Sequence, residues 1–481
     1  MNTSAFPPLF DFSAQLPERD SFMQLLREFA ATDAFRSATV DELVLDGDFF
    51  RRPLRPEDFS FLQYRKPVRA DNVSRLPSLA TNRTLLTINE LDIARAPGAD
   101  ATAQRHWQAF YSAKPRLLGA QMVPYLEAYA FDYLGNEAQP GEDAQTIGAR
   151  LRAVIDDEMA AWSNHFDMLM KRDFLENGLR FIMIQRWATL TTRRTALERA
   201  RASQYFDWLE PTAQPSLASK LPDDTTFARI ARMCGVTAPT HSYWQFYLPT
   251  TLQRCNLLYA LGSRPDRAFA LAGAAFVAEA EHLAFGAALL RACAHIAPDA
   301  AAQTDFDALS TQLQRRFAQA IDTLVEHHGA AALHTFAQGV AGAQLLGARA
   351  RWDLGEQLSW LSQIDTYMNY ARQIHDRIER DFPDIDRDTF VEPQEMCSTT
   401  HVHNEHRLVV IESGDMIFWG NLGMQLKMHP GDMVLIPDGR LHGSTVVSDS
   451  CTYHQPIIPN EWIADLKPVP QRAREAVATP G

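Results

Sequence analysis

Hydrophobic periodicity changes character once along this chain, at FPDIDRDTFVEPQEM (382–396). Before it, from about residue 101, apolar side chains recur at three- and four-residue steps. The step runs through QRHWQAFYSAKPRLLGAQMVPYLEAYAFDYL (104–134), DDEMAAWSNHFDMLMKRDFL (156–175) and LENGLRFIMIQRWATLTTRRTALERARASQYFDWLE (175–210). It resumes in residues 307–346 and 354–382. This pattern predicts an all-helical block. PTAQPSLASKLPDD (211–224) reads as a loop, and THSYWQFYLPTTLQRCNLLYALG (240–262) as a helix pair or one proline-kinked helix. After the change come RLVVIES, GDMIFWGN, GMQLKMHPGDMVLIPDG, STVVSDS and CTYHQPIIP. These short apolar runs, cut by Gly and Pro, predict a small antiparallel β-barrel.

At 481 residues the chain exceeds one ordinary core. We expect an N-terminal helical or dimerisation region over 1–150, a helical domain over 151–380 and a β domain over 390–470. DELVLDGDFF (41–50) fits helix or strand, and RRPLRPEDFSFLQYRKP (51–67) is basic and turn-rich. A net charge of −13 argues against nucleic-acid binding, which needs a basic surface. The opening MNTSAFPPLFDFSAQLPERD lacks the basic start and apolar run of a secretion signal. Stretches such as AFALAGAAFVAEA (268–280) read as too short and too charged at their ends to span a bilayer. Five scattered cysteines read as reduced thiols, so a cytoplasmic location is expected.

The chemistry concentrates in the β domain. His401 and His403, in HVHNEH, stand two apart on an expected strand and so face one side of it. His442 closes GDMVLIPDGRLH (431–442), where Gly431, Pro437 and Gly439 shape turns that bring it beside the pair. Three convergent imidazoles make a facial metal site with room left for substrate or dioxygen. Three histidines read as the ligands, with no carboxylate among them, disfavour a two-histidine, one-carboxylate site; all-histidine ligation suits Fe(II), Zn, Ni or Cu. Arg407 shares the parity of His401 and His403 and is a candidate to grip a substrate carboxylate. His454 is a candidate base near the barrel mouth, and Phe418 and Trp419 are candidate pocket or core residues.

These residues resemble the cupin superfamily. Gly431, Pro437, Gly439 and His442 meet its second motif, G-x5-P-x-G-x2-H, and His401, His403 and Gly414 meet the first. Arg407 stands where many cupins carry a glutamate ligand, and an arginine cannot ligate a metal. The helical block in turn resembles the haem-oxygenase-like diiron fold, and the whole resembles the nitrosourea-forming fusion metalloenzymes, which join such a domain to a three-histidine iron cupin. The resemblance implies a multidomain chain: an all-α haem-oxygenase-like region, then a C-terminal antiparallel β-barrel of the cupin kind.

It also implies a second metal site in the helical domain. Glu279 matches the family's core-helix glutamate, and His327 and His334 match the histidines of its closing motif, with Ala331 where an aspartate is expected. Glu198 and Glu210 are candidate carboxylates upstream, and Asp223–Asp224 lie where a histidine is expected. Another set uses Glu279 and His282, an E-x-x-H pair, with Glu127, or with Glu158 and His165.

Three functions stay open. The first is an Fe(II) cupin oxygenase using O2 on an amino-acid-derived, N-hydroxylated guanidino compound, forming or rearranging an N–N bond. It implies a homodimer and a reductase or upstream N-hydroxylase as partner. The second is a bifunctional diiron N-oxygenase plus cupin. The third is a metal-binding sensor or non-oxidative isomerase on a helical dimer scaffold.

Overall fold

The structure is a computed structural model that describes residues 9–10, 18–32, 34, 79–93, 95–97, 99–138, 141–218, 220–237, 241–294, 305–394, 397–421 and 424–466. The segments 41–50 and 51–67 lie outside the described residues. The chain divides into two compact units, Met1–Gly355 and Glu356–Gly481.

The first unit is helical: α1 (Arg19–Ala30), α2 (Leu79–Glu90), α3 (Ala101–Phe110), α4 (Ala113–Phe131), α5 (Ala144–Lys171), α6 (Leu175–Ala202), α7 (Asp224–Met233), α8 (Pro249–Gly262), α9 (Ala268–Ala292) and most of α10 (Phe306–Leu361). Aspartates start several of them. Asp100 accepts from the N–H groups of Thr102 and Ala103, Asp143 from that of Thr146 and Asp223 from that of Thr226, each satisfying donors the helix cannot. The proline of 240–262 kinks nothing: it opens α8 at a first-turn position, where its missing N–H costs no bond.

α8 and α9 are buried along nearly their whole length, with α9 against α5 and α8 against α6 and α2. The apolar run expected to be too short for a membrane joins its neighbours in one segment, Pro265–Ala292, long and apolar enough to cross one by length and composition. Within its apolar window 83% is buried against the rest of the protein, as in a core helix. α10 runs through the break expected between 346 and 354, which falls instead at 361–364, and non-helical backbone at Gly329 (φ 76°, ψ −169°) interrupts it. It crosses α9 where neither helix has a side chain to separate them: a Cβ added at Gly339 would overlap the backbone carbonyl of Ala270.

Among the described residues the second unit holds the end of α10, α11 (Ile364–Asp381), nine strands and α12 (Asn460–Ala464). One antiparallel sheet runs β1 (Thr389–Pro393), β8 (Ser450–His454), β3 (His406–Ser413), β6 (Met433–Ile436), with β9 (Ile457–Ile458) also on β3. The other runs β2 (Cys397–His401), β7 (His442–Val446), β4 (Met416–Asn421), β5 (Met424–Met428). The expected β-barrel is therefore corrected. Among the described residues no strand of one sheet pairs with a strand of the other, so the sheets do not close. A helix covers the β6 edge instead. The Trp360 indole N–H donates to the Leu435 carbonyl at 3.2 Å, and α11 lays Ala371, Ile374 and Ile378 on Leu408, Val410 and Leu435. An edge so covered needs no further strand.

Replacing Gly339 by Ala should destabilise the helical unit by about 3 kcal/mol, since backbone must move to admit the methyl. Gly148→Ala, where the new Cβ would meet only an arginine tip at 3.7 Å, should be neutral or gain up to about 1 kcal/mol. Chemical denaturation of both variants checks the contrast.

Candidate metal centre

The site lies within the second unit. β2 and β7 are antiparallel and His401 is the Cα partner of His442, so the two side chains rise side by side. β2 ends at His401, and His403 sits in the loop that follows. A turn from the second motif fixes that loop. Gly439, at φ 73°, donates its N–H to the His403 carbonyl at 2.7 Å, and Arg440 N–H closes on Pro437 O at 3.3 Å. Only glycine adopts that φ at little cost. The three rings have centroids 4.4, 4.8 and 5.0 Å apart.

The donor atoms suit a metal. His442 Nδ1 lies 2.8 Å from the carbonyl of Arg440; a carbonyl only accepts, so Nδ1 carries the proton and Nε2 the lone pair. The Nε2 atoms of His401 and His403 stand 3.2 Å apart. Two nitrogens at that separation, each about 2.1 Å from one ion, subtend about 100°, between the octahedral and tetrahedral angles. Among the described residues this is the group of three or more potential ligands whose donor atoms converge, all within 4.8 Å. His442 is buried, whereas His401 and His403 are half-buried, so the centre opens toward the latter pair.

Phe418, a pocket or core candidate from the sequence, and three residues the sequence did not mark, Trp360, Gln357 and His406, hold His442 in place. Phe418 stacks on its ring at 5.8 Å, and Trp360 meets Phe418 edge-on. Gln357, fully buried on α10, clasps Leu441: its amide donates to the Leu441 carbonyl and accepts from the Leu441 N–H, both at 2.9 Å. His406 accepts the Asp438 N–H at 3.0 Å and so braces the same turn. Its place in HVHNEH was a visible signal. Gln357 gave none, because helical periodicity does not show which backbone a buried amide will meet.

Arg407 and His454 lie on the other sheet. The parity counted from His403 does not carry through the loop 402–405. Arg407 donates to Asp388 at 2.8 Å and to the Gln455 carbonyl at 2.9 Å. His454 Nδ1 pairs with the Thr389 hydroxyl at 2.8 Å, and its Nε2 faces Glu412 at 3.6 Å. Phe418 belongs to the wall of the site; the Trp419 side chain lies outside the described residues.

The helical candidates are not brought together among the described residues. Glu198 and Glu210 are exposed. Glu279 accepts from Arg316 and from the Ser216 N–H. His327 is exposed and His334 half-buried, and the break at Gly329 between them removes the face that seven-residue spacing would give them. In the alternative set, Glu127 receives both Nη groups of Arg267, while Glu158 receives Arg351 and the Trp162 indole. Burial pushes His165 and, more strongly, His282 below the usual imidazole range. Asp223 caps α7 and Asp224 pairs with Arg194. The carboxylates expected to face metal are thus capped by arginines, or lie at the surface.

No protein-family model matches the chain. It is 26% identical over 468 residues, 94% of its own length and 97% of the other's, to the nitrosourea synthase of Streptomyces achromogenes subsp. streptozoticus. Likeness along nearly the whole of an enzyme, together with three converging imidazoles, gives a family-level resemblance to the fusion metalloenzymes and supports a general metal-dependent catalytic role of the cupin type.

Proposed function

We propose that the chain is a mononuclear non-haem iron oxygenase of the cupin type, acting on an amino-acid-derived, N-hydroxylated guanidino compound. The observation that carries this reading is the all-imidazole donor set of His401, His403 and His442. Such a set suits Fe(II), and when bound there the ion supplies redox chemistry together with open coordination positions. The residues of the chain do the rest. The Arg440 carbonyl holds the His442 proton on Nδ1, Phe418 covers one face of that ring, and the half-buried side of His401 and His403 admits the substrate. An N–N bond as the product feature comes from the relative's name, which concerns a nitrosourea, and the substrate class is what the resemblance to the fusion metalloenzymes implies. Arginine pairing of Glu127, Glu158, Glu279 and Glu281 supports a single metal per chain over the bifunctional reading. N-hydroxylation is then assigned to a partner enzyme.

Anaerobic Fe(II) loading followed by desalting should leave about one iron per chain, falling toward zero in His401→Ala. About three irons, with about two surviving the substitution, would establish the bifunctional enzyme. Oxygen uptake with N-hydroxylated guanidino amino acids should depend on that one iron; turnover without oxygen uptake would instead mark a non-oxidative isomerase.

Gln357→Leu should weaken iron binding about tenfold, as loss of a group orienting a ligand does. It strips two buried backbone groups of their partners, so unfolding should also ease by about 2 kcal/mol. Iron titration and denaturation of the same preparation check both.

A further inference from the structure

Two of the arginines of α6, Arg186 and Arg193, stand seven residues apart and so on one face. Both are deeply buried, at 4% and 1% exposure. Neither has a carboxylate partner among the described residues. The Arg186 guanidinium lies over the Phe285 ring at 4.7 Å and the Trp162 ring at 5.8 Å, and its Nε donates to nothing. Arg193 offers one long bond, Nη1 to the Ala278 carbonyl at 3.4 Å, while its Nε and Nη2 are unsatisfied.

They line a cavity of about 20 Å³ with Arg254, Glu281 and His282. Arg254 takes Glu281 Oε2 as its partner and Oε1 is left without one, so the lining sets three guanidiniums against one carboxylate. Burial and the nearby guanidiniums hold His282 well below its usual range, so it contributes no charge at neutral pH. Burial pushes Arg186 down to about 10, which leaves it cationic at pH 7, and pushes Arg193 in the same direction; a guanidinium keeps its proton inside proteins. A buried cation that keeps its proton is costly without a counter-charge.

We propose that a single small monovalent anion, a halide or a carboxylate the size of formate, binds in this cavity between Arg186 and Arg193. Unsatisfied N–H donors from both arginines supply its ligands, and the cavity has room for one water-sized group rather than a substrate. Where the resemblance implies carboxylates around cations, this core presents cations around an anion. The site is independent of the iron centre. Its occupancy holds α6 against α8 and α9, the helices that carry Arg254 and Glu281.

The test uses the full chain exchanged into gluconate buffer and titrated with sodium bromide at constant ionic strength. The melting temperature should rise along a saturating curve by about 5 °C. Formate should give the same rise if the site accepts carboxylates, and none if it takes halides alone. Arg193→Met should abolish the dependence and melt higher than wild type in gluconate, since it removes a buried uncompensated charge. If that variant does not fold, crystals of the wild type in bromide should show an anomalous peak within hydrogen-bond distance of both guanidinium groups. A bromide response that is linear, or the same in Arg193→Met, would overturn the proposal, as would bromide crystals with no peak between the two arginines.

Discussion

The metal centre depends on one backbone pairing, His401 against His442 across β2 and β7. A side-by-side pair in an antiparallel ladder fixes two imidazoles at a separation that neither ring can change alone. The third ligand is added from a loop, and the turn that follows Pro437 ties that loop to the ladder through His403. Gln357 and Trp360 then anchor the same segment through Leu441 and Leu435. The centre is rigid because His442, the turn that ties down His403, and the two leucines gripped by the helix end all fall in one short stretch of chain, 435–442.

The helical unit shows the opposite electrostatic arrangement. Its interior holds ionised groups in numbers a core seldom tolerates, and Glu127, Glu158, Glu279 and Glu281 are each held by a guanidinium. Ion pairs of this kind stabilise little in net terms, but losing one partner is expensive. A core built this way resists conversion to a diiron site, because two cations of higher charge would have to displace arginines locked between helices. The likeness to a nitrosourea synthase over nearly the full length is therefore compatible with different contents in the helical core.

Much of this was legible in the sequence. The three-to-four-residue step located α4, α5 and α6, and the motif spacing named all three converging histidines. Alternation revealed strands but not sheet closure, because what lies beyond β6 is decided by Trp360 and α11, whose pattern says only that they are helical. Parity failed at Arg407, since counting residues by twos assumes an unbroken strand and β2 stops at His401. The arginines at 186 and 193 were visible in FIMIQRWATLTTRR, an otherwise apolar stretch, as charges on a face that has to be buried. Attention to charged residues at core positions would have found them.

The claim at the centre is one iron, held by three histidines, in a protein whose helical core binds none. Anomalous diffraction at the iron edge, from crystals grown with Fe(II) under anaerobic conditions, tests it most directly. One peak is predicted, bounded by the Nε2 atoms of His401, His403 and His442. A pair of peaks beside Glu158 and Glu281, or no peak at the histidines, would contradict it.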